Sequence, residues 1–168
     1  NEDMLDKTAQ FLSGLSRDIK VILKCSYDKA NRSSSASFRG PGIEKGLEII
    51  SRVKEKYSLP VLCDVHCRAD INKLAGTVDC IQIPAFLCRQ TDLIEAAAAS
   101  GKPVNIKKGQ FISPYAMGMQ ADKAMKIHTS KGVMLTERGT FFGYSDLVVD
   151  MRSIIIMKET GCPVIFDA

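Results

Sequence analysis

Five cations carry the strongest chemical signal in the sequence. Lys24, Lys29, Arg32, Lys107 and Arg138 each stand at or just beyond the end of a run rich in strand-forming residues. A Lys or Arg facing into a protein interior is costly without a counter-charge. Only two carboxylates, Asp64 and Asp167, fall at comparable positions. The surplus positive charge calls for an anion. Phosphates and carboxylates suit it, with Arg gripping two oxygens and Lys acting as a point charge. The plainer alternative is that individual side chains reach solvent. For Lys24, Lys107 and Arg138, at equivalent heights on three runs, the anion site is the better reading. His66 follows Asp64 by two, so both point to one side of an extended chain. That pair suits hydroxyl binding or proton transfer, or else His66 is a satisfied histidine at a strand end. His128 closes a polar helical pattern and reads as solvated. Phe141, Phe142 and Tyr144 either close over a ligand or belong to the core.

The elements that must position these residues alternate almost without exception. Runs at 20–26, 59–66, 78–84, 103–107, 132–138 and 163–167 are short and β-rich. Helical patterns fill about 3–16, 42–57, 69–75, 90–100, 115–128 and 146–160. Strand and helix in series imply a parallel sheet with right-handed crossovers. No G-x-G-x-x-G follows a strand, which removes the main sign of a dinucleotide-binding open sheet, although a flavodoxin-like sheet still satisfies the bare pattern. Side-chain parity separates the two. Lys24 and Ser26 share a face, as do Asp64 with His66, Gln82 with Pro84, Asn105 with Lys107, and Thr136 with Arg138, while Asp167 takes the corresponding place in the last run. An open sheet covered on both sides is apolar on both faces. A (β/α)8 barrel has one parity on the helices and the other pointing inward, polar at the mouth. The expected fold is therefore an α/β single domain over 1–168, a partial barrel of about six strands. One further strand is expected ahead of residue 1 and one beyond residue 168.

Bulk properties agree. The 168 residues are 45% hydrophobic and 25% charged with a net charge of +4, which is neither the profile of a disordered chain nor the concentrated basic footprint of a nucleic-acid binder. No 18-residue apolar run marks a membrane span, and the opening Asn1-Glu2-Asp3 lacks the apolar stretch of a signal peptide. Six cysteines invite a disulfide reading, but a chain this rich in core residues has little need of them, and most sit in apolar runs. A cytoplasmic location is expected. The only low-complexity patch, Ser33-Ser34-Ser35-Ala36-Ser37, lies in a loop after the first run and reads as either a mobile lid or a connection.

Longer motifs carry a resemblance. Lys29-Ala30-Asn31-Arg32-Ser33-Ser34, preceded by Lys24 and followed by Phe38-Arg39-Gly40-Pro41-Gly42, resembles the signature loop of the 3-deoxy-D-manno-octulosonate 8-phosphate synthases, in the DAHP synthase superfamily. So do Asp64-Val65-His66, the stretch Ile81-Gln82-Ile83-Pro84-Ala85-Phe86-Leu87-Cys88-Arg89-Gln90-Thr91-Asp92-Leu93, and Asn105-Ile106-Lys107-Lys108-Gly109-Gln110-Phe111. Glu137-Arg138-Gly139, Phe142-Gly143-Tyr144, Asp146-Leu147-Val148-Val149-Asp150-Met151 and Val164-Ile165-Phe166-Asp167 complete the match.

The resemblance implies a homotetrameric barrel enzyme that condenses phosphoenolpyruvate with D-arabinose 5-phosphate, a step towards lipopolysaccharide. By the same resemblance Lys24, Lys29, Lys107 and Arg138 hold phosphoenolpyruvate, and Gln82 and Ala85 line its site. Asn31, Arg32 and Ser33, with Phe86 and an Arg89 from a neighbouring subunit, grip arabinose 5-phosphate, and Asp64 and His66 lie near the sugar. The catalytic set is then Lys29, Asp64, His66, Lys107 and Arg138. The family's metal-site positions are expected outside this chain, which leaves no metal ligand visible within it and a divalent metal conceivable only through residues beyond it. Partners are small-molecule substrates and further copies of the chain. Two rivals stand beside this reading: a sister synthase that condenses phosphoenolpyruvate with another sugar, and a non-catalytic phosphosugar-binding homologue.

Overall fold

The structure is a computed structural model that describes residues 2–16 and 18–168, so Asn1 of the acidic opening lies outside it. The strands are β1 (Leu23–Cys25), β2 (Val61–Asp64), β3 (Cys80–Ile83), β4 (Val104–Lys107), β5 (Val133–Glu137), β6 (Thr140–Phe142), β7 (Asp146–Val148) and β8 (Val164–Phe166). The helices are α1 (Glu2–Leu15), α2 (Ile43–Tyr57), α3 (Ile71–Ala75), α4 (Thr91–Ala99), α5 (Ala116–Met125) and α6 (Arg152–Lys158). Six strands form one parallel sheet in the order β1-β2-β3-β4-β5-β8, each joined to the next by at least one helix. Sheet order follows chain order throughout, as in a barrel and unlike a doubly wound sheet, whose order reverses at a switch point. The architecture is a partial (β/α)8 barrel, and the flavodoxin-like alternative falls with it.

The two faces of the sheet differ as the alternation requires. Leu23, Cys25, Val61, Cys63, Ile81, Ile83, Val104, Ile106, Val133 and Leu135 are all buried on the helix-covered face. Against them pack Leu47, Ile50 and Val53 of α2, Leu93, Ile94, Ala97 and Ala98 of α4, and Met117, Ala121 and Ala124 of α5. The spacing of these residues is the i, i+3, i+4 stripe that gives a helix one apolar side. The opposite parity carries Lys24, Asp64, Gln82, Asn105, Lys107 and Thr136. The strands themselves are shorter than their β-rich runs, at three to five residues.

One expected element is different. The stretch 146–160 is not a continuous helix. Its beginning pairs as an antiparallel hairpin, with Thr140 opposite Val148 and Phe142 opposite Asp146. Gly143, at φ 66°, supplies the left-handed turn residue, and the β-branched Val148-Val149 favours extension. Helix α6 starts only after Asp150, whose Oδ1 accepts the Arg152 backbone N–H at 3.0 Å. The hairpin aromatics Phe141, Phe142 and Tyr144 are exposed, so the core alternative for them is wrong in this chain. No helix among the described residues is long and apolar enough to cross a membrane. All six cysteines are free, five of them buried.

Candidate active site

The floor of the site is a ladder of side-chain hydrogen bonds running across five strands. Asp64 and Gln82 are direct register partners on β2 and β3, and Gln82 and Asn105 on β3 and β4. The Asp64 carboxylate, an acceptor only, accepts a hydrogen bond from Gln82 Nε2–H at Oδ1. That turns Gln82 Oε1 towards Asn105, whose Nδ2 donates to it at 2.9 Å. Asn105 Oδ1 is thereby left for the Thr136 hydroxyl, which donates at 2.8 Å. The ionised carboxylate at one end dictates the orientation of each amide after it. On its other oxygen Asp64 accepts from Lys24 Nζ at 2.9 Å and from Ser26 Oγ at 3.0 Å. Burial pushes the Asp64 carboxyl up, but the charge and hydrogen bond of Lys24 and the donors Gln82 and Ser26 together outweigh it and hold it below the usual range.

Above this floor stand the cations. Lys29 Nζ donates to Ser26 Oγ at 3.0 Å and has no ion pair among the described residues. Burial and then the charge of Lys24 lower its pKa, with Asp64 opposing. On the far side Lys107 Nζ lies 2.6 Å from Asp167 Oδ2, and Arg138 Nε lies 3.8 Å from the same oxygen. Two cations thus share one half-exposed carboxylate. A cavity of about 500 Å³ opens between the two groups. Its charged lining is Lys24, Lys29, Lys107 and Arg138 against Asp28 and Asp64, four cations to two carboxylates.

The loop after β1 is tied down at its base. Arg39 forms a two-pronged pair with Asp28, through Nε at 2.9 Å and through the second guanidinium arm, and holds the Asp28 carboxyl below its ordinary range. Lys29 N–H donates to the Arg39 carbonyl at 2.6 Å. This closure requires Gly40, which sits at φ 136° with a Cβ position only 2.4 Å from the Tyr27 carbonyl oxygen. His66 Nε2 lies 3.0 Å from the Asp28 carbonyl oxygen. A carbonyl only accepts, so this bond needs the proton on Nε2. The His66 ring tilts against Tyr27, centroids 5.3 Å apart, and the Tyr27 hydroxyl donates to Asp70 Oδ2 at 2.8 Å.

Most of the residues singled out in the sequence meet here. Lys24, Lys29, Asn31, Asp64, His66, Ala85, Phe86, Lys107 and Arg138 all line the cavity. Gln82 does not: it is 4% exposed and belongs to the floor, reaching the site through Asp64. Arg32 and Ser33 are exposed in the loop beyond the lining, although Arg32 is near enough to act on Lys29 by its charge. Arg89 is exposed and also outside the lining. Sequence reasoning missed Asp28 with its partner Arg39, and the buried Lys108 and Glu137 beneath Lys107 and Arg138. Fit to a divalent metal is poor within these residues. Asp64 is taken up by Lys24, Ser26 and Gln82, and no three of His, Cys, Asp and Glu converge among the described residues.

A parallel sheet with a polar mouth and surplus cations defines a partial (β/α)8 barrel with its charged groups gathered at one end. The sequence model of the DAHP synthetase I family matches residues 1–168, and the chain belongs to that family. Among curated relatives, the 2-dehydro-3-deoxyphosphooctonate aldolase of Variovorax paradoxus is 59% identical over 155 residues, covering 89% of this chain and 54% of the relative. Proteins of the same name from Acidithiobacillus ferrooxidans and Aromatoleum aromaticum are 51% and 54% identical, covering 100% of this chain and 60% and 61% of their own lengths. The chain thus spans a little over half the length of the curated relatives it matches.

Proposed function

We propose that the mouth binds phosphoenolpyruvate and D-arabinose 5-phosphate and condenses them with water to 3-deoxy-D-manno-octulosonate 8-phosphate and phosphate. The observation that carries this reading is the convergence of Lys24, Lys29, Lys107 and Arg138 on one cavity. Two separated cationic groups suit a ligand with an anion at each end, such as a phosphate and a carboxylate. Arg138 and Lys107 would hold one end, with Asp167 released to solvent on binding, and Lys24 and Lys29 the other. The names of the relatives support the sugar product.

In the reaction, C3 of phosphoenolpyruvate forms a bond to the sugar aldehyde carbon and the aldehyde oxygen gains a proton. Water adds at C2, and the C2–O bond to phosphate breaks. The residues contribute alignment of two polyanions and fixed positive charge where negative charge develops. His66, with its Nε2 proton directed at the loop carbonyl, and Asp64 are assigned to the sugar side, as are Asn31, Phe86, Arg32 and Ser33. Arg89 is exposed and outside the cavity lining, and on the resemblance it is assigned to the sugar site of a neighbouring subunit. The proposal therefore includes the homotetramer, and with six free cysteines a reducing, cytoplasmic setting.

A sister synthase acting on a shorter sugar phosphate would use the same phosphoenolpyruvate grip. Aldehyde preference in the full-length protein separates the two. Turnover with arabinose 5-phosphate is expected to exceed that with erythrose 4-phosphate by about 100-fold or more, since a site built to hydrogen-bond a hydroxyl rejects a substrate lacking it. Equal or better turnover of erythrose 4-phosphate would reject the assignment.

A further inference from the structure

Lys108 is fully buried, at 0% exposed, and Glu137 is buried to 1%. Lysine is almost never inside without partners, and those of Lys108 are specific. Its Nζ donates to the Gly139 carbonyl at 2.8 Å and to Thr140 Oγ1 at 3.1 Å, and lies 3.4 Å from Glu137 Oε1. Glu137 in turn accepts the Gly139 N–H at 2.6 Å and the Ser153 hydroxyl at 2.5 Å. Neither residue lines the cavity. Alternation along the strands puts both on the opposite side of the sheet from Lys107 and Arg138. Each is nonetheless the chain neighbour of one of those cations.

Register pairing between β4 and β5 stops at Lys107 and Thr136. Beyond that point the two chain ends part, one towards Gly109 and the other into the β6–β7 hairpin. The pair bridges this gap. It grips both the N–H and the carbonyl of Gly139, the residue after Arg138, and the Phe141 N–H adds a bond to the Gln110 carbonyl at 3.1 Å. A buried ion pair adds little stability over apolar residues of the same volume. What apolar residues would lack is the directed hold on Gly139.

We propose that the Lys108–Glu137 pair is a positioning device that fixes the span between Lys107 and Arg138, and so sets the affinity of that end of the mouth for its anion. The inference rests on the anion-binding reading of the mouth. Its test is the Lys108→Met/Glu137→Leu double variant of the full-length protein, which leaves no buried charge unpaired, with the two KM values measured separately. The expected result is a KM for phosphoenolpyruvate raised about tenfold or more, because displacing a charge-assisted contact by even one ångström is costly. The KM for arabinose 5-phosphate stays within about twofold, since the sugar residues are carried by other elements. An unchanged phosphoenolpyruvate KM, or an equal rise in both, overturns the proposal. If the double variant does not fold, Glu137→Gln tests the same point. It keeps an acceptor for Gly139 but loses the charge facing Lys108, and a selective rise of about threefold is expected. No rise overturns the proposal. Wild-type protein that fails to bind phosphoenolpyruvate would instead reject the proposed function, on which the inference depends.

Discussion

Replacing Lys107 with methionine should lower kcat/KM for phosphoenolpyruvate by about 100- to 1,000-fold while changing stability little. The methionine keeps the apolar stem and removes only the charge. What remains on that side of the cavity is Arg138, 3.8 Å from Asp167, and without Lys107 that carboxylate pairs with Arg138 alone. The mouth then holds three cations in place of four, and the anion it should bind competes with Asp167 for the one that remains. The stability effect is small because Asp167 is 42% exposed and rehydrates when its partner goes. Steady-state kinetics beside a thermal melt check both halves. A large fall in the melting temperature with unchanged kcat/KM would make Lys107 a structural cation and contradict the assignment.

Asp64→Asn should act through both stability and binding. Asp64 is 14% exposed, anchors the amide ladder and neutralises Lys24. An asparagine can still accept from Gln82, but it turns an N–H₂ group towards Lys24 and Ser26. A loss of about 1–3 kcal/mol is expected at neutral pH. Its pH dependence has a definite sign. The carboxyl sits below its unfolded value of about 3.9, so its contribution is present above that pH and lost as pH falls through the folded pKa. Urea titrations should show the wild-type advantage at pH 7 and its disappearance in strong acid, and an advantage independent of pH would contradict the ionised ladder. Binding changes at the other end of the scale. Burial and Lys24 lower the Lys29 pKa, and Asp64 resists that shift. With Asp64 neutral, Lys29 loses its proton at a still lower pH. The alkaline fall in phosphoenolpyruvate affinity should move towards neutrality in the variant.

The inward-facing set was legible because a strand's period of two is a strong signal. Lys24, Asp64, Asn105 and Thr136 share the parity that the sheet turns inward, and the apolar parity packs on helices. Their order along the ladder was not legible, since it depends on which strands are neighbours and in what register. Gln82 shows the limit: its parity is right, yet the bonds to Asp64 and Asn105 keep it in the floor and out of the cavity lining. Glu137 and Lys108 were missed for a related reason. A charged residue on the helix-covered parity contradicts the local rule, and only the fold brings the two within 3.4 Å. The sequence reading starts a helix at 146, where the second hairpin strand lies, because Asp146-Leu147-Val148 carries apolar residues at a spacing that both structures tolerate. The antiparallel partner at Thr140–Phe142 decided the outcome. Asp28 and Arg39 are likewise joined by a turn that only the backbone at Gly40 makes possible.

On the proposed function, the cationic mouth aligns phosphoenolpyruvate with a five-carbon sugar phosphate for condensation. The measurement that tests it most directly is inorganic phosphate release by the full-length protein from phosphoenolpyruvate, with and without arabinose 5-phosphate. Release that requires arabinose 5-phosphate, with one phosphate formed per sugar consumed, is the predicted result. No release from a folded protein that binds both compounds, or release indifferent to the sugar, would contradict the account.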